Sequence, residues 1–396
     1  MAVLDIISFA AFIVLMAVLV YRDRKHVKLQ GVMFIRRTEK GKASIDRMTK
    51  RHQRFWNVMS YLGIATAVLA LVAGVAFLAT SSLTILQGKD AEGVRFVLPY
   101  PSGEAQLQPG LLLLPWWVWI IAIFSVVVPH EVFHGIMCRL HNVRIKSLGW
   151  LLLVIIPGAF VEPDERQLKR AARTVRMKVY AAGSFANILI SVIALLFLSL
   201  LFVAFSPAGI LFAANETSSF GSNVTGFVTS IDGMPVTSVA ALSSAMAAHQ
   251  PGDTVTIAVA EEARVVPHLT LSRLGEGQVF EPVAVIETAT ARAYTVTLQE
   301  HPGQAGKPYI GVLIPSAAPA VSYNLLGYSM YTLLFWVFVL NLGIGIVNIL
   351  PIKPLDGGLL FEELLGGVQK NALLVKAVSG IALFLLLFNI FGPMLV

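Results

Sequence analysis

The stretch VVVPHEVFHG, Val126–Gly135, decides how this chain is read. It closes an apolar run that begins near Leu112, yet carries two histidines and a glutamate. Ionisable groups inside a lipid-buried helix are expensive unless something compensates them, so they mark a functional site by default. His130 and His134 are four residues apart, which puts them on one helix face, one turn apart. Two imidazoles so placed reach a single zinc ion, with Glu131 beside them facing a water. With this chain's histidine and glutamate content, chance produces HExxH in roughly 0.6% of such sequences. Pro129, directly before His130, deletes a helix hydrogen bond and is expected to kink the span there.

The whole chain agrees with a lipid setting. Of its 396 residues, 56% are hydrophobic and 13% charged, where a soluble protein carries about a quarter charged. Runs long enough to span a bilayer fall at about 4–21, 56–79, 112–139, 179–206, 322–350 and 372–394. The expected fold class is a polytopic α-helical membrane protein of about six transmembrane helices with an inserted β-rich domain. The first run lacks a basic leader and its charges follow it, the pattern of a retained anchor with its N-terminus outside. Between Arg22 and Arg54 stand 12 Lys/Arg against 3 Asp/Glu, a net of +9. That excess suits a cytoplasmic loop under the positive-inside rule better than a nucleic-acid site. Cys138 is the single cysteine, so no intrachain disulfide forms.

Alternation then sets four regions. Residues 1–110 hold two spans and the basic cytoplasmic loop. Residues 111–206 form a membrane half with the HExxH helix and a short apolar segment, 148–160, expected to be re-entrant or extended against the bundle. Residues 207–319 fall outside, with 9 Asp/Glu and 4 Lys/Arg, a net of −5. Residues 320–396 form the second membrane half. The outside segment reads as strand, IDGMPV turn, helix Ser238–His249, QPGDTV turn and strand, and contains sequons at Asn215 and Asn223.

Zinc needs a third protein ligand and an open position for water. From Pro115, His130 is 15 residues on, roughly 22 Å down a helix rising 1.5 Å per residue, in the cytoplasmic third of a core about 30 Å thick. Asp356, in NILPIKPLDGG, reaches the same depth at the end of a later span, where prolines and glycines are expected to unwind the helix. Glu162, 28 residues past His134, is the rival ligand. Glu362 and Glu363 read as interfacial surface charge, and Lys353 as snorkelling to the interface.

HEVFHG, PGAFVE, AAGSFAN, a PDZ-like insertion and NILPIKPLDGG occur in the order found in site-2 proteases. The chain resembles that family of intramembrane zinc metalloproteases across about 125–360, and within it the PDZ-containing branch that includes the eukaryotic site-2 protease. The resemblance implies one zinc per chain on His130, His134 and Asp356, with Glu131 as catalytic base and Asn187 and Asn348 in supporting or substrate-binding roles. Gly183-Ser184 departs from the Gly-Pro of many members. SIDGMPVTS and QPGDTVTIAV are the pieces that resemble a PDZ domain. The implied activity is hydrolysis of peptide bonds in or near transmembrane segments of a membrane-protein substrate already trimmed outside, in a plasma or internal membrane, with no nucleic-acid partner. Two other readings stand beside it: a membrane zincin trimming soluble or lipidated peptides with Glu162 as third ligand, and a non-catalytic PDZ scaffold.

Overall fold

The computed structural model describes residues 2–88, 94–101, 106–108, 110–153, 156–203, 206–214, 225–261, 263–269, 280–286, 291–313, 319–322, 325–366 and 368–394. The chain forms two compact units, Met1–Leu195 with Phe335–Val396, and Leu196–Leu334. The sequons at Asn215 and Asn223 lie outside the described residues.

The first unit begins with α1 (Ala2–Arg22), a hairpin of β1 (Val27–Gln30) and β2 (Met33–Thr38), then α2 (Lys42–Arg51) and α3 (Gln53–Leu86). The expected basic loop is thus largely folded. Its α2 is fastened to the helix that carries the HExxH stretch by a two-pronged ion pair between Asp46 and Arg139. Arg139 holds the Asp46 carboxyl below its ordinary value, chiefly by that hydrogen bond.

Three short strands follow, β3 (Phe96–Tyr100), β4 (Gln106–Gln108) and β5 (Leu111–Pro115), before α4 (Trp116–Leu140). The apolar residues at 112–115, expected to open the span, are therefore a strand. Leu111–Leu114 pair in parallel with β3, and the extended ψ of 129° at Pro115 ends the strand before the helix. So short an apolar run suits a buried strand as well as a helix. α4 itself is continuous through Pro129.

After α4 come β6 (Ile145–Leu153), β7 (Ile156–Pro163), α5 (Glu165–Arg170) and α6 (Arg173–Val203). The segment at 148–160 is mostly this antiparallel hairpin, with Leu148 opposite Val161 and Leu153 opposite Ile156. Its backbone groups are further satisfied by the N-terminal hairpin, since Met33–Thr38 pair with Leu148–Leu153. The sheet runs β1-β2-β6-β7, leaving one edge of β7 beside α4. Pairing matters here because unpaired backbone groups in lipid are each costly.

The second unit holds β8 (Ser206–Ala214), β9 (Thr225–Ile231), β10 (Met234–Pro235), α7 (Val239–Ala247), β11 (Thr254–Ala260), β12 (Ala263–Leu269), β13 (Phe280–Ile286), β14 (Arg292–Thr297), β15 (Gln299–His301), β16 (Gln304–Tyr309), β17 (Val312–Leu313) and β18 (Pro319–Ser322). Asp232 and Gly233, with φ of 45° and 79°, make the tight turn between β9 and β10, where Asp-Gly is favoured because both central residues need positive φ. Ser238 caps α7 by accepting from Ala241 N at 3.1 Å. Ile231, Val236, Leu242, Val255, Ile257 and Val296 form the core beneath.

The chain continues through α8 (Leu325–Ile349), α9 (Asp356–Leu364) and α10 (Val368–Phe391). Five helices among the described residues are long and apolar enough to cross a membrane: Gln53–Leu86, Trp116–Leu140, Arg173–Leu201, Gly327–Ile349 and Asn371–Met394. A shorter apolar helix covers Ile6–Arg22. Only 22–39% of each long span is buried within protein, leaving apolar faces that suit lipid rather than water. Buried polar contacts join the spans: Asn389 donates to Leu78 O at 3.0 Å and Ser82 Oγ at 2.8 Å, and Asn341 donates to Ser125 Oγ at 2.8 Å. In lipid such bonds and close backbone packing hold helices together.

Candidate metal centre

α4 presents His130, Glu131 and His134 from one side of a helix whose other residues are almost all apolar. α6 supplies the support. His134 Nδ1 donates to Val179 O at 2.8 Å, which fixes the tautomer and leaves the Nε2 lone pair free to ligate. His130 Nδ1 lies 3.2 Å from the amide of Asn187, a residue with no exposure at all. The Asn187 oxygen is buried without a protein partner. An amide's oxygen and nitrogen can exchange places by a half-turn. With the oxygen toward the ring, Asn187 accepts from Nδ1–H, and His130 Nε2 is released in the same way as that of His134.

Asp356 arrives from the turn between α8 and α9, 222 residues after His134 in sequence. Leu355 N donates to Ile352 O at 2.8 Å, turning the chain back. The two glycines do not unwind a helix, as expected; they form the first turn of α9. A Cβ on Gly357 would stand 1.9 Å from Ile349 O, and one on Gly358 2.5 Å from Ile352 C. Only glycine allows α9 to start so close to the end of α8. Asp356 at that helix start is also where a negative charge is favoured.

The three donor atoms close a small triangle. His134 Nε2 is 3.0 Å from Asp356 Oδ2, His130 Nε2 is 3.2 Å from it, and the two Nε2 atoms are 3.2 Å apart. Two donors of a tetrahedral zinc with bonds of about 2.0–2.1 Å are separated by about 3.3 Å. Two imidazole lone pairs and a carboxylate facing one another repel unless a cation lies among them. The donor set and its spacing therefore fit a metal, and His130, His134 and Asp356 are the group that could hold one among the described residues.

Gly183 of α6 completes this wall. A Cβ there would fall 2.4 Å from His130 Nε2 and 2.5 Å from His134 Nε2. The AAGSFAN block carries this glycine four residues before Asn187, and in Gly183-Ser184 it is Ser184, not Gly183, that departs from the Gly-Pro of many members. Glu131 Oε2 accepts from Val161 N of β7 at 2.8 Å. That bond was not foreseen.

The remaining predicted residues fall outside the triangle. Glu162 accepts from Ser147 Oγ at 2.6 Å and lies 3.6 Å from Arg37, so it is engaged on the sheet. Asn348 sits half-buried in the last turn of α8, outside the hydrogen-bonded cluster. Lys353 is ion-paired with Glu362, and Glu363 is buried rather than a surface charge.

The chain is 22% identical over 386 residues to an uncharacterized protein of Methanocaldococcus jannaschii, covering 96% of this chain and 91% of that protein. Peptidase family M50, whose members are membrane-embedded zinc metallopeptidases, matches residues 118–391. That match takes in most of α4, all of α6 and α10 and the turn carrying Asp356, and by it the chain belongs to peptidase family M50.

Proposed function

We propose that this chain is an intramembrane zinc metalloprotease that hydrolyses peptide bonds within or beside the transmembrane segments of membrane-protein substrates. The observation that carries the reading is the triangle of His130, His134 and Asp356, with sides of 3.0–3.2 Å, set beside Glu131 on an apolar span. One zinc per chain would be held by those three residues; when bound it supplies Lewis acidity and makes water acidic near pH 7.

Glu131 takes a proton from the attacking water and delivers it to the departing amine nitrogen. Val161 N–H holds one carboxylate oxygen, Oε2, which orients the group and leaves the other oxygen for the water. Asn187 and Val179 O keep both imidazoles in the ligating tautomer. Asn348 is assigned a supporting role toward substrate on the strength of its place one turn beyond Gly345, which packs on Asn187.

A transmembrane substrate hides its carbonyls in helical hydrogen bonds, so it must unwind to be cut. β7 offers a partner for the unwound chain. Val161 N points to the edge of β7 that the sheet leaves unpaired, toward Glu131, and strand alternation turns Ala159 N–H and C=O to the same edge. A substrate segment added there as a strand runs past the base.

The basic region 22–54 is assigned to the cytoplasm by its net of +9. That places the metal centre nearer the cytoplasmic face, from which water enters. The second unit is assigned outside, with β9, α7 and β11 read as the core of a PDZ-like domain that excludes substrates with bulky outer parts. Such exclusion favours substrates trimmed beforehand.

The purified chain in proteoliposomes, given a transmembrane peptide, is expected to cut it, and to lose that activity in Glu131→Gln and on chelation. Full activity in Glu131→Gln would sink the mechanism. Cleavage confined to soluble peptides would move the substrate class to soluble or lipidated peptides.

A further inference from the structure

We infer that Arg176 and Glu363 form a positioning clamp that sets where Asp356 stands relative to His130 and His134; the inference rests on the metal reading above. Arg176 Nε donates to Glu363 Oε1 and Nη2 to Oε2, both at 2.7 Å. This two-pronged arrangement constrains direction as well as distance. Arg176 Nη1 also donates to Ala171 O at 2.6 Å. Arg173, one turn earlier, donates to Glu363 O and, at 2.9 Å, to Leu364 O. Those carbonyls lie at the end of α9, where Glu363 O also accepts from Gly366 N at 3.0 Å. Glu363 is only 9% exposed, so the pair is sheltered from the screening that makes surface ion pairs weak.

The spacing links the clamp to the metal centre. On α6, Arg176 lies seven residues before Gly183, the residue that backs both imidazoles. On α9, Glu363 lies seven residues after Asp356. Seven residues are two turns, about 10 Å, and return to the same helix face. α6 and α9 are therefore joined directly at the clamp, and at the metal centre through the imidazoles of α4, which Gly183 backs and Asp356 faces. Ala181 of α6 and Leu360 of α9, both with no exposure, belong to one buried apolar cluster. α9 has nine residues and follows a turn, so the metal-centre link alone would let it pivot and swing the Asp356 carboxylate. The clamp fixes it.

The full chain in detergent tests this by zinc affinity, from competition with a chelator, and by thermal unfolding of the metal-free protein. Glu363→Gln and Arg176→Gln are expected to weaken zinc binding about 10-fold or more, with kcat lowered and KM unchanged. Arg176→Lys, which keeps the charge but loses the fork, is expected to weaken it severalfold. The exchange Arg176→Glu with Glu363→Arg is expected to restore most of the affinity. Wild-type zinc affinity in the single variants overturns the clamp, as does an exchange that regains thermal stability without affinity. A wild-type chain that binds no zinc overturns the metal reading itself and the clamp with it.

Discussion

Gly183→Ala places one methyl group against both imidazoles. The new Cβ would stand 2.4 Å from His130 Cε1 and Nε2 and 2.5 Å from His134 Nε2, where ordinary contact begins at 3.4 Å. Each ring must retreat by about 1 Å, the difference between those distances. Zinc–nitrogen bonds of about 2.0–2.1 Å tolerate deviations of about 0.2 Å, so the displacement is about five times what the site can absorb. Moving α6 instead is opposed from its other neighbour, since even a Cβ on Gly345 would already crowd Asn187 at 3.1 Å. A misplacement of this size at a reacting centre costs on the order of 100-fold in rate. Helix propensity works in the opposite direction, because alanine favours a helix interior over glycine by about 1 kcal/mol. The variant is therefore expected to fold, to bind zinc poorly and to cleave a transmembrane peptide at least about 100-fold more slowly. Gly343→Ala in α8 is the control, because a Cβ there meets nothing within 4 Å. Metal analysis of both purified variants, with single-turnover cleavage, gives the answer. Wild-type zinc content and rate in Gly183→Ala would refute the packing argument.

Other outcomes follow from the same geometry. Asp356→Ala is expected to abolish zinc binding while Glu162→Ala retains it, since Glu162 is occupied by Ser147 and Arg37; metal content after dialysis decides, and the reverse result would restore Glu162 as the ligand. Asp46→Asn is expected to lower stability by about 1 kcal/mol near neutral pH. Because the Asp46 carboxyl is held below its ordinary value of 3.8, that contribution is present above about pH 4 and is lost as pH falls through the lower folded value. Thermal melts of wild type and variant should therefore converge only in acid. Asn389→Leu removes donors to Leu78 O and Ser82 Oγ and is expected to destabilise the bundle by about 0.6–1.7 kcal/mol, measured by denaturation in detergent.

Much of this architecture is legible in local pattern. Long apolar runs must become helices in lipid, because each helix satisfies its own backbone, and the five long helices fall on the runs that the sequence marks. His130 and His134 share a face for the same local reason, the 3.6-residue turn. Asp-Gly at 232–233 marks its turn through the backbone freedom those residues need. Tertiary structure alone decided the rest. Leu111–Leu114 became a strand because β3 was there to pair with it. The basic loop folded because Met33–Thr38 met Leu148–Leu153, more than a hundred residues away. Gly183 behind the imidazoles, Val161 holding Glu131 and Arg176 gripping Glu363 are contacts between elements distant in sequence. Periodicity reports which face of an element is apolar, but which partner that face meets, and at what register, is settled only when the helices pack.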